Sequence, residues 1–120
     1  MERKGVLFVQ RNNKICKIVE EMSLFLMDNG YHSFNIDIKQ DEDMSKITFT
    51  TEELDKEVEE YIIEKLSEPR EEEVEEYSWM LMGEGSAADD LDIIGMLVDR
   101  VTIRNENNKS IVEVIRDETY

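Results

Sequence analysis

The feature that most constrains the fold is a change in the spacing of apolar residues along the first half of the chain. Residues 15–26 are apolar at helical spacing, and Gly30 follows where a left-handed residue would end a helix. Residues 34–38 and 47–49 instead alternate apolar and polar side chains across an acidic turn. The pattern predicts a helix and then an antiparallel hairpin of half-buried strands. The apolar residues are Ile15, Ile18, Val19, Met22, Phe25 and Leu26 in the helix, and Phe34, Ile36, Ile38, Ile47 and Phe49 in the hairpin.

Two further patterns predict where elements begin. Residues 6–10 are a short apolar run that ends in a polar residue, which indicates a first strand. Asn12 or Asn13 can cap the helix that follows this strand. Thr50 and Glu53 have the spacing of a capping box, which predicts a second helix with Leu54, Val58, Tyr61, Ile62 and Leu66 on one face.

The second half of the chain predicts more helices and a closing hairpin. Pro69 stops the second helix, and an acidic helix follows from about residue 70 to residue 82. Asp89 and Asp90 favour the start of a further helix with Leu91, Ile94, Leu97 and Val98 as its apolar stripe. Val101 and Ile103, then Ile111 and Val114, give the final hairpin. The order β-α-β-β-α-α-α-β-β argues for an α+β fold, a two-layer sandwich with helices on one face of a mostly antiparallel sheet.

Length and charge bound the possible functions. With 120 residues we expect a single domain, residues 1–120, and the lone Cys16 excludes a disulfide framework. Residues 52–76 hold 13 of the 30 acidic residues and carry −10 of the net charge of −16. Such a field repels nucleic acids and anionic membranes, so we expect neither as a partner. The first residues contain too short an apolar run for a signal peptide or a membrane span, which predicts a cytoplasmic protein.

Two segments resemble a known family. Residues 20–31, Glu-Glu-Met-Ser-Leu-Phe-Leu-Met-Asp-Asn-Gly-Tyr, are similar to the first nucleotide box of histidine-kinase and anti-sigma-factor-kinase ATPase domains. Residues 91–101 resemble the helix that follows the nucleotide lid in that family. The resemblance implies a histidine-kinase-like ATPase fold and a role in bacterial-type signalling. By the same resemblance, residues 52–82 are an acidic helical insert. Any bound ATP or ADP would then contact Glu21, Asn29, Gly83, Gly85 and Ser86.

Departures from that family argue against catalysis. Glu21 fits the acidic place of the first box, but Phe25 occupies the place of the asparagine that helps to hold the metal, and a phenyl ring cannot bind Mg²⁺. The second box should supply Asp-x-Gly-x-Gly, yet residues 50–54 contain no glycine. Glu84 lies between the remaining glycines and would repel phosphate. We therefore expect no catalytic residue, no bound metal and no cofactor.

Two functions of different classes stay open. The first is a non-catalytic regulatory or protein-interaction module on a degenerate ATPase-like fold. The alternative is a nucleotide-binding regulator that retains ATP or ADP; if it were an enzyme, it would be an ATP-dependent protein kinase. For the first, the apolar run of residues 79–82 within the acidic insert offers a surface for a protein partner or for self-association, because a helix cannot bury four consecutive residues on one face. The residues of that surface are Tyr77, Trp79, Met80 and Met82.

Overall fold

Two layers form the described part of the chain, an antiparallel sheet and helices packed on one of its faces. The computed structural model describes the backbone of residues 3–68 and 90–118, and the side chains of residues 10–68 and 91–118. The predicted α+β architecture is confirmed. In chain order the elements are α1 (Arg3–Asp28), β1 (Phe34–Gln40), β2 (Met44–Glu52), α2 (Lys56–Leu66), α3 (Asp90–Gly95), β3 (Arg100–Glu106) and β4 (Lys109–Asp117).

The N-terminal strand prediction is wrong, because residues 6–10 belong to α1. Asn12 and Asn13 likewise lie inside the helix and do not cap it. The sequence has neither Pro nor Gly between residues 6 and 29, so nothing interrupts the helical hydrogen bonds along this stretch.

The predicted end of α1 is confirmed. Gly30 has a φ of +91°, the left-handed conformation that glycine adopts without a Cβ penalty. Tyr31 N donates to Leu26 O at 2.9 Å and Gly30 N donates to Met27 O at 3.1 Å. These two bonds form a Schellman motif, which turns the chain from α1 towards β1.

The four strands form one sheet in the order β1-β2-β4-β3, with every neighbouring pair antiparallel. Both predicted hairpins are present. Apolar residues on the inner face of the central strands pack against the helices, and the core they share is fully buried. Its members include Ile47, Phe49, Val112 and Val114 from the sheet and Ile18, Met22, Leu26, Ile62, Leu66, Leu91 and Ile94 from the helices.

The capping-box prediction is wrong. Residues 50–52 continue β2. Thr50 and Thr51 pair with β1 on one side and with β4 on the other, and Glu52 pairs with β4, so this backbone belongs to the sheet and not to a helix cap. Asp55, the N-cap residue of α2, makes no side-chain capping bond, and two hydroxyl groups instead hold the backbone that leads into the helix. Leu54 N donates to Ser110 Oγ at 2.9 Å, and Asp55 N donates to Tyr31 Oη at 2.8 Å.

The third helix is shorter than predicted. It begins at Asp90 and ends at Gly95, while Leu97 and Val98 lie beyond it and are still fully buried. A Cβ on Gly95 would lie 2.8 Å from Lys65 O, so glycine allows α3 to approach the backbone of α2 closely.

Candidate functional site

Glu21, the acidic residue of the resembled nucleotide box, is nearly buried on α1 at 5% exposure. Its Oε1 lies 3.0 Å from Lys17 Nζ, which also lies 3.2 Å from Glu20 Oε1. The hydrogen bond to Glu21 raises the pKa of Lys17 above its ordinary value of 10.5, although partial burial opposes the shift. The Glu21 carboxylate is therefore engaged with a lysine one helical turn away.

Asn29, the second candidate for nucleotide contact, lies just beyond the end of α1. Its Nδ2 donates to Phe25 O at 2.8 Å, and the same carbonyl oxygen accepts from Asn29 N at 3.1 Å. With a rise of about 1.5 Å per residue, Glu21 and Asn29 are separated by about 12 Å along the helix. The structure therefore does not bring these two residues together.

Phe25 lies between them on α1 and belongs to the core. It is 7% exposed, and its ring stacks on Tyr61 of α2 with centroids 6.0 Å apart and an angle of 16° between the planes. Stacked aromatic pairs of this kind stabilise a fold beyond the area they bury. The ring thus fills the position where the resembled family has its asparagine.

The remaining predicted site residues lie outside the described residues. They are the nucleotide candidates Gly83, Gly85 and Ser86 and the partner-surface candidates Tyr77, Trp79, Met80 and Met82. The predicted second acidic helix also lies there. Their roles stay predictions.

An acidic cleft opens beside the start of α2, with a volume of about 580 Å³. Four carboxylates line it against one lysine, and the full lining is Glu53, Leu54, Asp55, Lys56, Glu59, Glu60 and Asn105. Within the described ranges no group of three or more His, Cys, Asp or Glu side chains is arranged to hold a metal ion. A cleft with this lining disfavours phosphate groups.

A buried ionic cluster joins the opposite end of the sheet to α1. Glu118 accepts hydrogen bonds from Arg116 Nε at 3.1 Å and from Ser45 Oγ at 2.7 Å, and Arg11 Nε lies 3.5 Å from its Oε2. Arg116 Nη1 also donates to Leu97 O at 2.9 Å. These contacts tie α1, β2, β4 and the segment after α3 together, so the cluster has a structural role.

The outer edge of β1 is a feature that the sequence pattern did not reveal. Ile36 and Ile38 lie opposite Phe49 and Ile47 on the inner face, yet they are 38% and 46% exposed, although the alternation predicted that this face of the strand is buried. β1 lies at an edge of the sheet, and strand order cannot be read from alternation alone. Leu24 and Met27 of α1 are exposed apolar residues as well.

The fold defines a class, a two-layer α+β sandwich with a four-stranded antiparallel sheet. No family model, no curated protein and no solved structure matches the chain. In the described part of the chain, no helix combines the length and the apolar character needed to cross a bilayer.

Proposed function

We propose that this chain is a non-catalytic regulatory module that binds another protein, built on a histidine-kinase-like ATPase sandwich that no longer binds ATP and magnesium. It works in the cytoplasm in bacterial-type signalling and needs no cofactor. The observation that carries the proposal is the place of Phe25 in the core.

Phe25 supports loss of the metal site for two reasons. Its ring offers no oxygen ligand to Mg²⁺ at the position where the resembled family has an asparagine. It also packs against Tyr61, so a polar residue there would lose a core contact. Glu21, the nearest candidate ligand, is engaged with Lys17. These contacts favour a scaffold over a nucleotide site.

The charge of the acidic insert supports a protein partner with a basic surface. Its first helix, α2, buries Ile62 and Leu66 in the core and exposes Glu57, Glu60 and Glu64. Opposite charge on a partner would raise the rate of association and select against acidic competitors. Aromatic and methionine anchors from the predicted partner surface would supply the central contacts.

A paired variant tests the partner surface. We expect Trp79→Ala with Met82→Ala to lose a basic protein that the wild type captures by affinity purification and cross-linking. The matched control is Leu24→Ala with Met27→Ala, which truncates exposed apolar residues of α1 and should keep the partner. A Trp79→Ala/Met82→Ala variant that still captures the basic protein would contradict the proposal. Unfolding of the first pair would contradict it too, because the run would then belong to the core.

A further inference from the structure

The outer edge of β1 offers unpaired backbone groups at defined positions. Asp41 N donates to Met44 O at 2.9 Å, which marks these residues as a hydrogen-bonded pair at the end of the hairpin. Since such pairs alternate along an antiparallel ladder, Lys39 and Asp37 bond to β2, and the N–H and C=O groups of Ile38 and Ile36 point away from it. Among the described strands β2 is the only neighbour of β1. Within the described part of the chain, the edge is therefore available to another strand.

The two edges of the sheet differ in how their apolar side chains are covered. On β3, Val101 and Ile103 are half-buried and pack against the core. On β1, Ile36 and Ile38 face the same layer but are exposed. The β1 edge thus combines free backbone groups with exposed isoleucines, and it contains no proline or bulge that would block pairing.

We propose that two copies of this chain pair through β1, antiparallel and with the two-fold axis at Ile38, to form a continuous eight-stranded sheet. This interface goes beyond the proposed partner surface and does not depend on it. The charges of β1 select the register. With the axis at Ile38, Asp37 lies opposite Lys39 of the partner subunit. The symmetry forms this ion pair twice, once on each side of the axis.

In the neighbouring registers the same residues would form repulsive pairs across the two β1 strands. An axis at Asp37 would put that carboxylate opposite its own copy, and an axis at Lys39 would do the same with two ammonium groups. In the proposed register the Asp–Lys pairs occupy non-hydrogen-bonded positions, where opposing side chains approach most closely. The strand is therefore self-complementary in charge, which is the reason to assign a second copy as its occupant.

Charge exchange on β1 tests this interface. Sedimentation velocity at physiological ionic strength, where the repulsion between two copies of net charge −16 is screened beyond about 8 Å, should show a wild-type dimer. Asp37→Lys or Lys39→Asp alone turns both cross-strand pairs repulsive, so we expect dimerisation to weaken by about tenfold or more. The double variant Asp37→Lys/Lys39→Asp, or a mixture of the two single variants, restores opposite charges and should restore the dimer.

The structure supplies controls for folding and for net charge. Asp37 lies opposite Thr48, and Lys39 lies opposite Lys46, so exchanging these exposed charges removes no attractive pair with the directly opposite residue within the hairpin. Glu106→Lys on β3 changes the net charge as Asp37→Lys does, at the other edge of the sheet, and should leave the dimer intact. Circular dichroism confirms that each variant is folded.

Hydrogen exchange tests the same interface without a substitution. The amides of Ile36 and Ile38 should exchange more slowly as the protein concentration rises, while the outward amides of β3 should not change. A monomeric wild type would overturn the proposal. So would a dimer that tolerates both single variants, a double variant that stays monomeric, or loss of the dimer in Trp79→Ala/Met82→Ala. The last result would assign self-association to the predicted partner surface instead.

Discussion

Replacing Phe25 by asparagine restores the residue type of the resembled nucleotide box and removes a core aromatic ring. Truncating a buried phenylalanine costs about 3–5 kcal/mol, and the stack on Tyr61 at 6.0 Å places this site in that range. The amide that replaces the ring also requires hydrogen-bond partners in a nearly buried position. We expect the free energy of unfolding to fall by about 4 kcal/mol, a large share of the roughly 5–15 kcal/mol of a typical domain.

Urea unfolding followed by circular dichroism measures this change. We expect the midpoint to move to a lower urea concentration, while the dependence of the free energy of unfolding on urea stays unchanged. The matched control is Leu24→Asn, on the preceding residue of α1 and 41% exposed, which should cost less than about 1 kcal/mol. A Phe25→Asn variant within about 1 kcal/mol of the wild type would refute the core role of the ring. A folded variant that gained magnesium-dependent ATP binding would show that the nucleotide site is otherwise intact.

Three further changes test the contacts between the elements. Ser110→Ala leaves the buried Leu54 N–H without its acceptor and should lower the free energy of unfolding by about 1–3 kcal/mol, measured by urea unfolding. Gly95→Ala forces a Cβ to 2.8 Å from a main-chain oxygen of α2, and the same assay should show a loss of about 1–3 kcal/mol. Lys17 has a raised pKa in the folded state, so the stability it contributes is complete below pH 10.5 and is lost as the pH rises through that higher value. Lys17→Met, which no longer pairs with Glu21, should show a smaller loss of stability than the wild type as the pH rises above 10.5.

Local signals predicted the parts of the fold that depend on few neighbours. The apolar stripe of α1 and the glycine at its end are set by helical period and by backbone conformation, and both are confirmed. Residues 6–10 were misassigned because a short apolar run fits a strand or a buried helix equally well. The Thr50-x-x-Glu53 pattern failed because pairing of β2 with two neighbouring strands outweighs a local cap.

The candidate site depended on tertiary contacts that spacing cannot reveal. The sequence identified Phe25 as a departure from the resembled box, but only the structure shows its contact with Tyr61. Likewise the alternation of Ile36 and Ile38 gave the inner face of β1 but not its place at the edge of the sheet. The engagement of Glu21 with Lys17 has a sequence signal, since residues four apart on a helix face each other.

Loss of nucleotide binding is tested most directly by a thermal melt of the wild-type protein with and without millimolar ATP and Mg²⁺, repeated with ADP. A ligand that binds only the folded state at about 100 times its Kd adds about 2.7 kcal/mol of stability, which raises the Tm by several degrees. A non-catalytic interaction module should show no shift with either nucleotide. A rise of several degrees would contradict that function and establish a working nucleotide site despite Phe25.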